Sequence, residues 1–282
     1  MPAADRLLPA LRSAAALARG TPGRVGHLVH LTGATELLVA GDLHGHVPNF
    51  TAVHKAADLA NHPGRHLVLQ ELIHGPFRYA NGGDKSHQLV DLFAVLVGQF
   101  PGRVHYLPGN HELAQWTDRP IGKGGAESLN AVYRHGLDAA YGAAGPAVYA
   151  AHCELWKALP LAIRTPNAVF VCHTVLPAKS QPLFSLRTLE QTQFTDADRA
   201  AGGVVYGLLW GRDTTAPTVD AFLRKVDADL LVTGHIPTDA GFLAPNPRQL
   251  IVDCAASPAA YVLFPTDRPL THEELVAGVV VI

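Results

Sequence analysis

Six short apolar runs punctuate the chain, at residues 36–40, 66–70, 103–107, 168–172, 228–233 and 249–253, and each gives way to a polar or glycine-containing cluster. Runs of this length, rich in Val, Leu and Ile, read as buried strands. Helical periodicity fills several of the gaps between them. It is clearest over residues 86–100, where Leu89, Leu92, Phe93, Leu96, Val97 and Phe100 recur at steps of three or four as one apolar stripe. The pattern predicts a helix that starts near Ser86 and stops before Pro101-Gly102. Strands joined through helices give an α/β fold, whose ligands sit beyond the strand ends on the loops that follow. The polar clusters are therefore expected along one edge.

With 282 residues the chain can bury a large core, and no linker argues for a split into two domains. A net charge of -2 indicates neither a nucleic-acid partner nor a membrane surface, although a local basic pocket can still hold phosphate. Three widely spaced cysteines, Cys153, Cys172 and Cys254, form neither a disulfide framework nor a metal knuckle, so a reducing, cytoplasmic setting is expected. The first twenty residues are rich in Ala and Leu but interrupted by Asp5, Arg6, Arg12 and Arg19, which reads as a surface helix. No window approaches the ~20 apolar residues that cross a bilayer.

The clusters run, in order, Gly-Asp-Leu-His-Gly-His (41–46), Gln-Glu-Leu-Ile-His-Gly (70–75), Gly-Asn-His-Glu (109–112), Cys-His (172–173), Trp-Gly-Arg-Asp (210–213) and Gly-His (234–235). Together they offer carboxylate, imidazole and amide oxygen from Asp42, His44, Glu71, Asn110, His173 and His235. That donor set suits manganese, iron or zinc. Two such ions sit roughly 3.5–4 Å apart only with a bridging carboxylate. Taken singly, each cluster has a plain explanation: a solvated loop, a helix N-cap, a core histidine. Their recurrence at successive strand ends favours a metal site.

The ordered combination resembles the calcineurin-like metallophosphoesterases, and within them the phosphoprotein phosphatase (serine/threonine phosphatase) branch with its bacterial relatives. That family's pattern is Gly-Asp-x-His-Gly, Gly-Asp-x-x-Asp-Arg-Gly, Gly-Asn-His-Glu, a strand-end His and a late Gly-His. Residues 41–45, 109–112, 173 and 234–235 match, and the resemblance spans about Leu37 to Phe264. It implies an α/β (α+β layered) fold with a central β-sandwich flanked by helices. The whole chain, 1–282, is then one domain, with a helical extension at 1–35, a catalytic core at 36–265 and a tail at 266–282. It also implies two divalent ions, manganese first with iron or zinc as alternatives. Asp42 and His44 would hold one ion, and Asn110, His173 and His235 the other. His111 would be the general acid and Arg212 a phosphate clamp. The implied reaction is attack of a metal-bridging hydroxide on a phosphomonoester, with phosphoserine and phosphothreonine in proteins and small phosphoesters as candidate substrates. A diadenosine tetraphosphate-type nucleotide hydrolase and a metal-binding scaffold without turnover are the alternatives.

The second motif departs from the pattern. Gln70 stands at its glycine and Glu71 at its bridging aspartate, one methylene longer. The motif is also one residue shorter, and His74 stands where the family has Asp-Arg. His74 is thus a candidate for orienting His111 or holding substrate, and Arg78 or Lys85 for replacing the missing arginine. Residues 76–86 read either as an ordered active-site loop or as an insertion.

Overall fold

Side chains alternate along the strands so that both faces of two sheets are apolar, and this alternation builds the molecule in four layers. The computed structural model describes residues 3–122, 128–182 and 184–282. Its strands are β1 (Arg24–Val25), β2 (Leu28–His30), β3 (Glu36–Asp42), β4 (Arg65–Gln70), β5 (Val104–Leu107), β6 (Ala162–Arg164), β7 (Val169–Cys172), β8 (Leu230–Thr233), β9 (Phe242–Asn246), β10 (Gln249–Val252), β11 (Ala260–Pro265) and β12 (Val279–Val281). One sheet has the order β12-β11-β3-β4-β5 and the other β1-β2-β6-β7-β8-β10-β9.

In β3, Leu37 and Val39 point between the sheets, where they meet Ile163, Val171, Val232 and Val252 of the opposite sheet. Leu38 and Ala40, one residue out of step, face a helical layer instead. In β7 the same parity sends Val169 and Val171 inward and Phe170 and Cys172 outward, against Phe222 and Leu223 of helix Ala216–Val226. The α/β expectation thus becomes a β-sandwich with helices on both outer faces.

The helices over the five-stranded sheet are α1 (Ala4–Arg19), α2 (Val47–Ala57), α3 (His87–Gln99), α4 (Asn110–Trp116), α5 (Leu129–Tyr141) and α6 (Gly145–Ala158). Helix α3 lies where the periodicity places it, with Ser86 at its N-cap. Leu92 does not belong to its buried stripe and is 41% exposed, while Val90 and Ala94 are buried. At about 100° per residue the buried arc centres on Leu89, Phe93 and Val97, and Leu92 falls to one side. The first helix is more than a surface element. Leu7, Leu11, Ala14, Ala15 and Ala18 of α1 are buried, and α1 packs on α3 and α6. The segments before residue 36 and after residue 265 also supply strands: β1 and β2 belong to one sheet, and β12 pairs with β11 in the other. Among the described residues no helix is long and apolar enough to cross a membrane.

Candidate active site

Strands β3, β4 and β5 run parallel in one sheet and β7 and β8 run parallel in the other. Their C-terminal ends deliver Asp42, Glu71, Asn110, His173 and His235 to one edge of the sandwich, at a cleft of about 780 Å³. Two loops are zipped together there. The N–H groups of Leu43 and His44 donate to Glu71 O, and Gly45 N–H donates to Leu72 O. Close approach demands glycine at two positions. A Cβ on Gly109 would meet Glu71 Oε1 at 2.1 Å, and one on Gly234 would meet Asp42 Oδ1 at 2.4 Å.

Four donors converge first: ligand atoms of Asp42, Glu71, His173 and His235 all lie within 4.8 Å of one another. A second group, His44, Glu71 and His111, meets the same limit, and Glu71 is the residue the two groups share. Its two oxygens differ. Oε1 accepts from His111 N–H at 2.8 Å, whereas Oε2 faces His44 Nε2 at 3.4 Å and His173 Nε2 at 3.7 Å. Asn110 Oδ1 joins at 3.3 Å from His173 Nε2, and His235 Nδ1 at 3.1 Å from the same nitrogen. In these groups Asp42 falls with His173 and His235, and it also accepts from His235 N–H across the sandwich.

The donors fit divalent cations. His44 Nδ1 lies 2.7 Å from Ile73 O, a carbonyl that can only accept, so in the neutral ring Nε2 presents a lone pair toward the Glu71 carboxylate. Buried His173 Nδ1 and His235 Nε2 have no hydrogen-bond partner among the described residues. Burial pushes the Asp42 carboxyl up to about 7, against the lowering effect of hydrogen bonds from Glu71 and His235. Burial, with Asp42 and Glu112 nearby, raises Glu71 well above the usual carboxylate range. Burial lowers His173 far below its ordinary value and, with Arg212 adding, brings His235 to about 3. Carboxyls pushed up beside imidazoles pushed down describe a buried ligand set that lacks positive charge of its own.

The model of the calcineurin-like phosphoesterases matches residues 35–239, which carry every one of these donors. The chain belongs to the calcineurin-like phosphoesterase family. The family is named for enzymes that act on phosphoric esters. Over 240 residues it is 26% identical to a probable serine/threonine-protein phosphatase of Encephalitozoon cuniculi, covering 77% of this chain and 46% of that protein. The chain therefore spans about half the length of this curated relative. A Saccharomyces cerevisiae protein serine/threonine phosphatase, described as similar to human phosphatase PP5, has the same fold. Its TM-score is 0.72 at 17% identity, over 100% of this chain and 89% of that one. A cold-active protein-tyrosine phosphatase of a psychrophilic Shewanella aligns with a TM-score of 0.54 at 14% identity, over 85% and 77% of the two chains.

Against the phosphoesterase pattern, the altered second motif becomes interpretable. His74 is buried, and its Nδ1 lies 2.8 Å from His111 Nδ1 while its Nε2 lies 2.8 Å from Gln115 Oε1. With both nitrogens turned to protein groups it is not placed to hold phosphate; of the two roles expected for it, the contact with His111 is the one the geometry offers. Arg78 reaches the cleft rim, but its guanidinium is tied to Gly75 O at 2.6 Å and to Asp84 at 3.0 Å. Arg212 is exposed at the cleft and carries no hydrogen bond or ion pair among the described residues. Residues 76–86 form an ordered turn closed by the Arg78–Asp84 bridge, and the Ser86 hydroxyl accepts from His74 N–H. Two residues escaped the sequence reading. Glu112 accepts from the N–H groups of Leu72, Ile73 and Gly109 and from the Tyr106 hydroxyl, which binds the Glu71 loop to α4. Gln115 was invisible because its partner, His74, stands where the family has an acid.

Proposed function

We propose that the chain is a dimetal phosphomonoesterase acting on phosphorylated substrates, with phosphoserine or phosphothreonine side chains as the favoured class. The observation that carries this reading is the sharing of Glu71 between two groups of ligand atoms, since a single buried carboxylate between two donor sets suits a pair of cations. Asp42, Glu71, Asn110, His173 and His235 would hold one ion, and Glu71 and His44 would contribute to the other. Manganese is the first candidate on donor type. When bound, such ions make water nucleophilic near neutral pH and polarise the phosphoryl oxygens.

The chain's own residues would do the rest. Arg212, exposed and unengaged among the described residues, would meet phosphoryl oxygens through a bidentate fork. His111 would hand a proton to the departing oxygen. Pro76, Leu129, Val132, Pro237 and Ala256 give the cleft an apolar lining suited to the flank of a peptide or aryl group. The deciding experiment is elemental analysis of the purified protein, paired with turnover of an aryl phosphate and a phosphoserine peptide with manganese and after chelation. Two ions per chain and turnover that disappears with the metal are expected. Metal-loaded protein inert toward both esters would instead favour a scaffold.

A further inference from the structure

Two imidazole nitrogens 2.8 Å apart, His74 Nδ1 and His111 Nδ1, need one hydrogen between them. Which ring carries it is decided by Gln115. The Gln115 side-chain nitrogen lies 3.3 Å from Asn130 O and 3.0 Å from the Tyr149 hydroxyl. Asn130 O can only accept. Tyr149 gives its own hydrogen to the Gln115 backbone carbonyl at 3.0 Å, so toward the Gln115 side chain its oxygen acts as an acceptor, as it also does for Arg134 at 3.4 Å. The amide is therefore oriented with NH2 toward these groups and Oε1 toward His74 Nε2. A carbonyl oxygen there places the His74 hydrogen on Nε2, and neutral His74 offers a lone pair at Nδ1. His111 Nδ1 must be the donor. Its Nε2 is then the nitrogen that deals with substrate, in a cleft that His111 lines.

We infer that Gln115 is a positioning residue for leaving-group protonation, fixing the tautomer of His74 and through it the orientation of His111. Gln115 and His111 sit one turn apart on the same face of α4, and the His74 ring closes against both. Gln115 is fully buried, and Tyr133 packs edge-on against His74 at 5.9 Å, so the arrangement is held in shape by packing as well as by polar contacts. Rigid second-layer support of this kind is what keeps a proton donor in productive geometry. In the reaction a P–O bond forms to the attacking water and the P–O bond to the leaving group breaks. For this, His111 carries a second hydrogen, on Nε2, as the imidazolium. The departing oxygen takes the bonding pair and that proton, leaving His111 neutral with its Nδ1 hydrogen still held by His74, and a proton from the attacking water recharges Nε2. This role rests on the phosphoesterase reading above.

Gln115→Met keeps the volume and removes the acceptor. With the metal-loaded enzyme, kcat on phenyl phosphate, whose leaving oxygen needs a proton, is expected to fall about 10- to 100-fold. On dinitrophenyl phosphate, whose leaving oxygen does not, the loss should stay below about threefold, with metal content unchanged. Long-range proton–nitrogen NMR of the zinc-loaded wild-type protein, assigned with His74→Asn, should show His74 protonated at Nε2 and His111 at Nδ1. Equal losses on the two esters, no loss on either, or His74 protonated at Nδ1 alone would overturn the inference. Wild-type protein inert toward both esters would sink the phosphoesterase reading and this role with it. Wild-type turnover with an undifferentiated response to Gln115→Met would sink this role alone.

Discussion

Glu71 closes a strand whose preceding residues are all buried, and at the residue scale its backbone is unusual: φ is 36°, in the left-handed region. His44, His74 and His235 share that region at 40°, 63° and 68°. Each such non-glycine residue costs on the order of 1–3 kcal/mol, and strain of this kind gathers where side-chain placement matters more than stability. Bonding Oε1 to His111 N–H leaves Oε2 as the oxygen directed at His44 and His173. Glu71→Gln should therefore reduce bound metal from two ions to one or none and cut turnover by at least about 100-fold, the upper end of what outer-layer changes alone produce. Glu71→Asp, one methylene shorter, should keep partial activity with weakened metal affinity. Elemental analysis beside kcat separates the two outcomes, and two ions with full turnover in Glu71→Gln would end the bridging assignment. The sequence alone made Glu71 a candidate because it follows an apolar run and occupies an aspartate's place. Left-handed backbone and the division of labour between its oxygens belong to the folded loop and have no local signature.

Legibility at the scale of elements followed burial. The six runs read as strands became β3, β4, β5, β7, β8 and β10, which are buried almost throughout, β5 included although it ends its sheet. Of the strands that went unread, β11 is six residues long, mostly buried and inside its sheet, whereas the others are short or at an edge: β1 has two residues, β2, β6 and β12 three each, and β9 is largely exposed. Pairing partners create such strands, so periodicity cannot announce them. Helix α4 was likewise readable only as a motif, since seven residues give no moment worth reading. What secures it is Glu112. Its carboxylate accepts three backbone N–H groups and the Tyr106 hydroxyl, at 2.6 to 3.2 Å, from two loops and a neighbouring strand. Removing an acceptor so that several buried donors are orphaned is among the costlier single changes, because each donor loses water and regains nothing. Glu112→Ala should destabilise the protein by about 3 kcal/mol or more in urea unfolding and release metal although Glu112 is not a ligand. A loss below about 1 kcal/mol with metal retained would mean that the loop is held elsewhere.

Across the whole molecule, stability is tied to pH through imidazoles buried in their neutral form, away from the cleft. His66 on β4 and His105 on β5 sit side by side, Nδ1 to Nε2 at 3.1 Å. Burial, with Arg103 adding, lowers His66 to about 4, and burial, with His66 adding, lowers His105 to about 3. An unfolded chain restores both to about 6.5. Between these limits the unfolded state binds protons that the native state refuses, so stability is complete above about pH 6.5 and drains away as pH falls toward the folded values. Each imidazole contributes a slope of about 1.4 kcal/mol per pH unit across that window. His105→Gln is the informative change: glutamine can still hydrogen-bond His66 but does not titrate. Urea unfolding of the metal-free protein at intervals from pH 7 to about pH 4.5 should give a stability slope shallower than wild type by about one proton's worth, with the curves converging near neutrality. Metal-free protein is the right material, because protons and cations compete for the ligand imidazoles and would add a second pH dependence. Parallel curves for wild type and His105→Gln would show that this pair is not a source of acid lability.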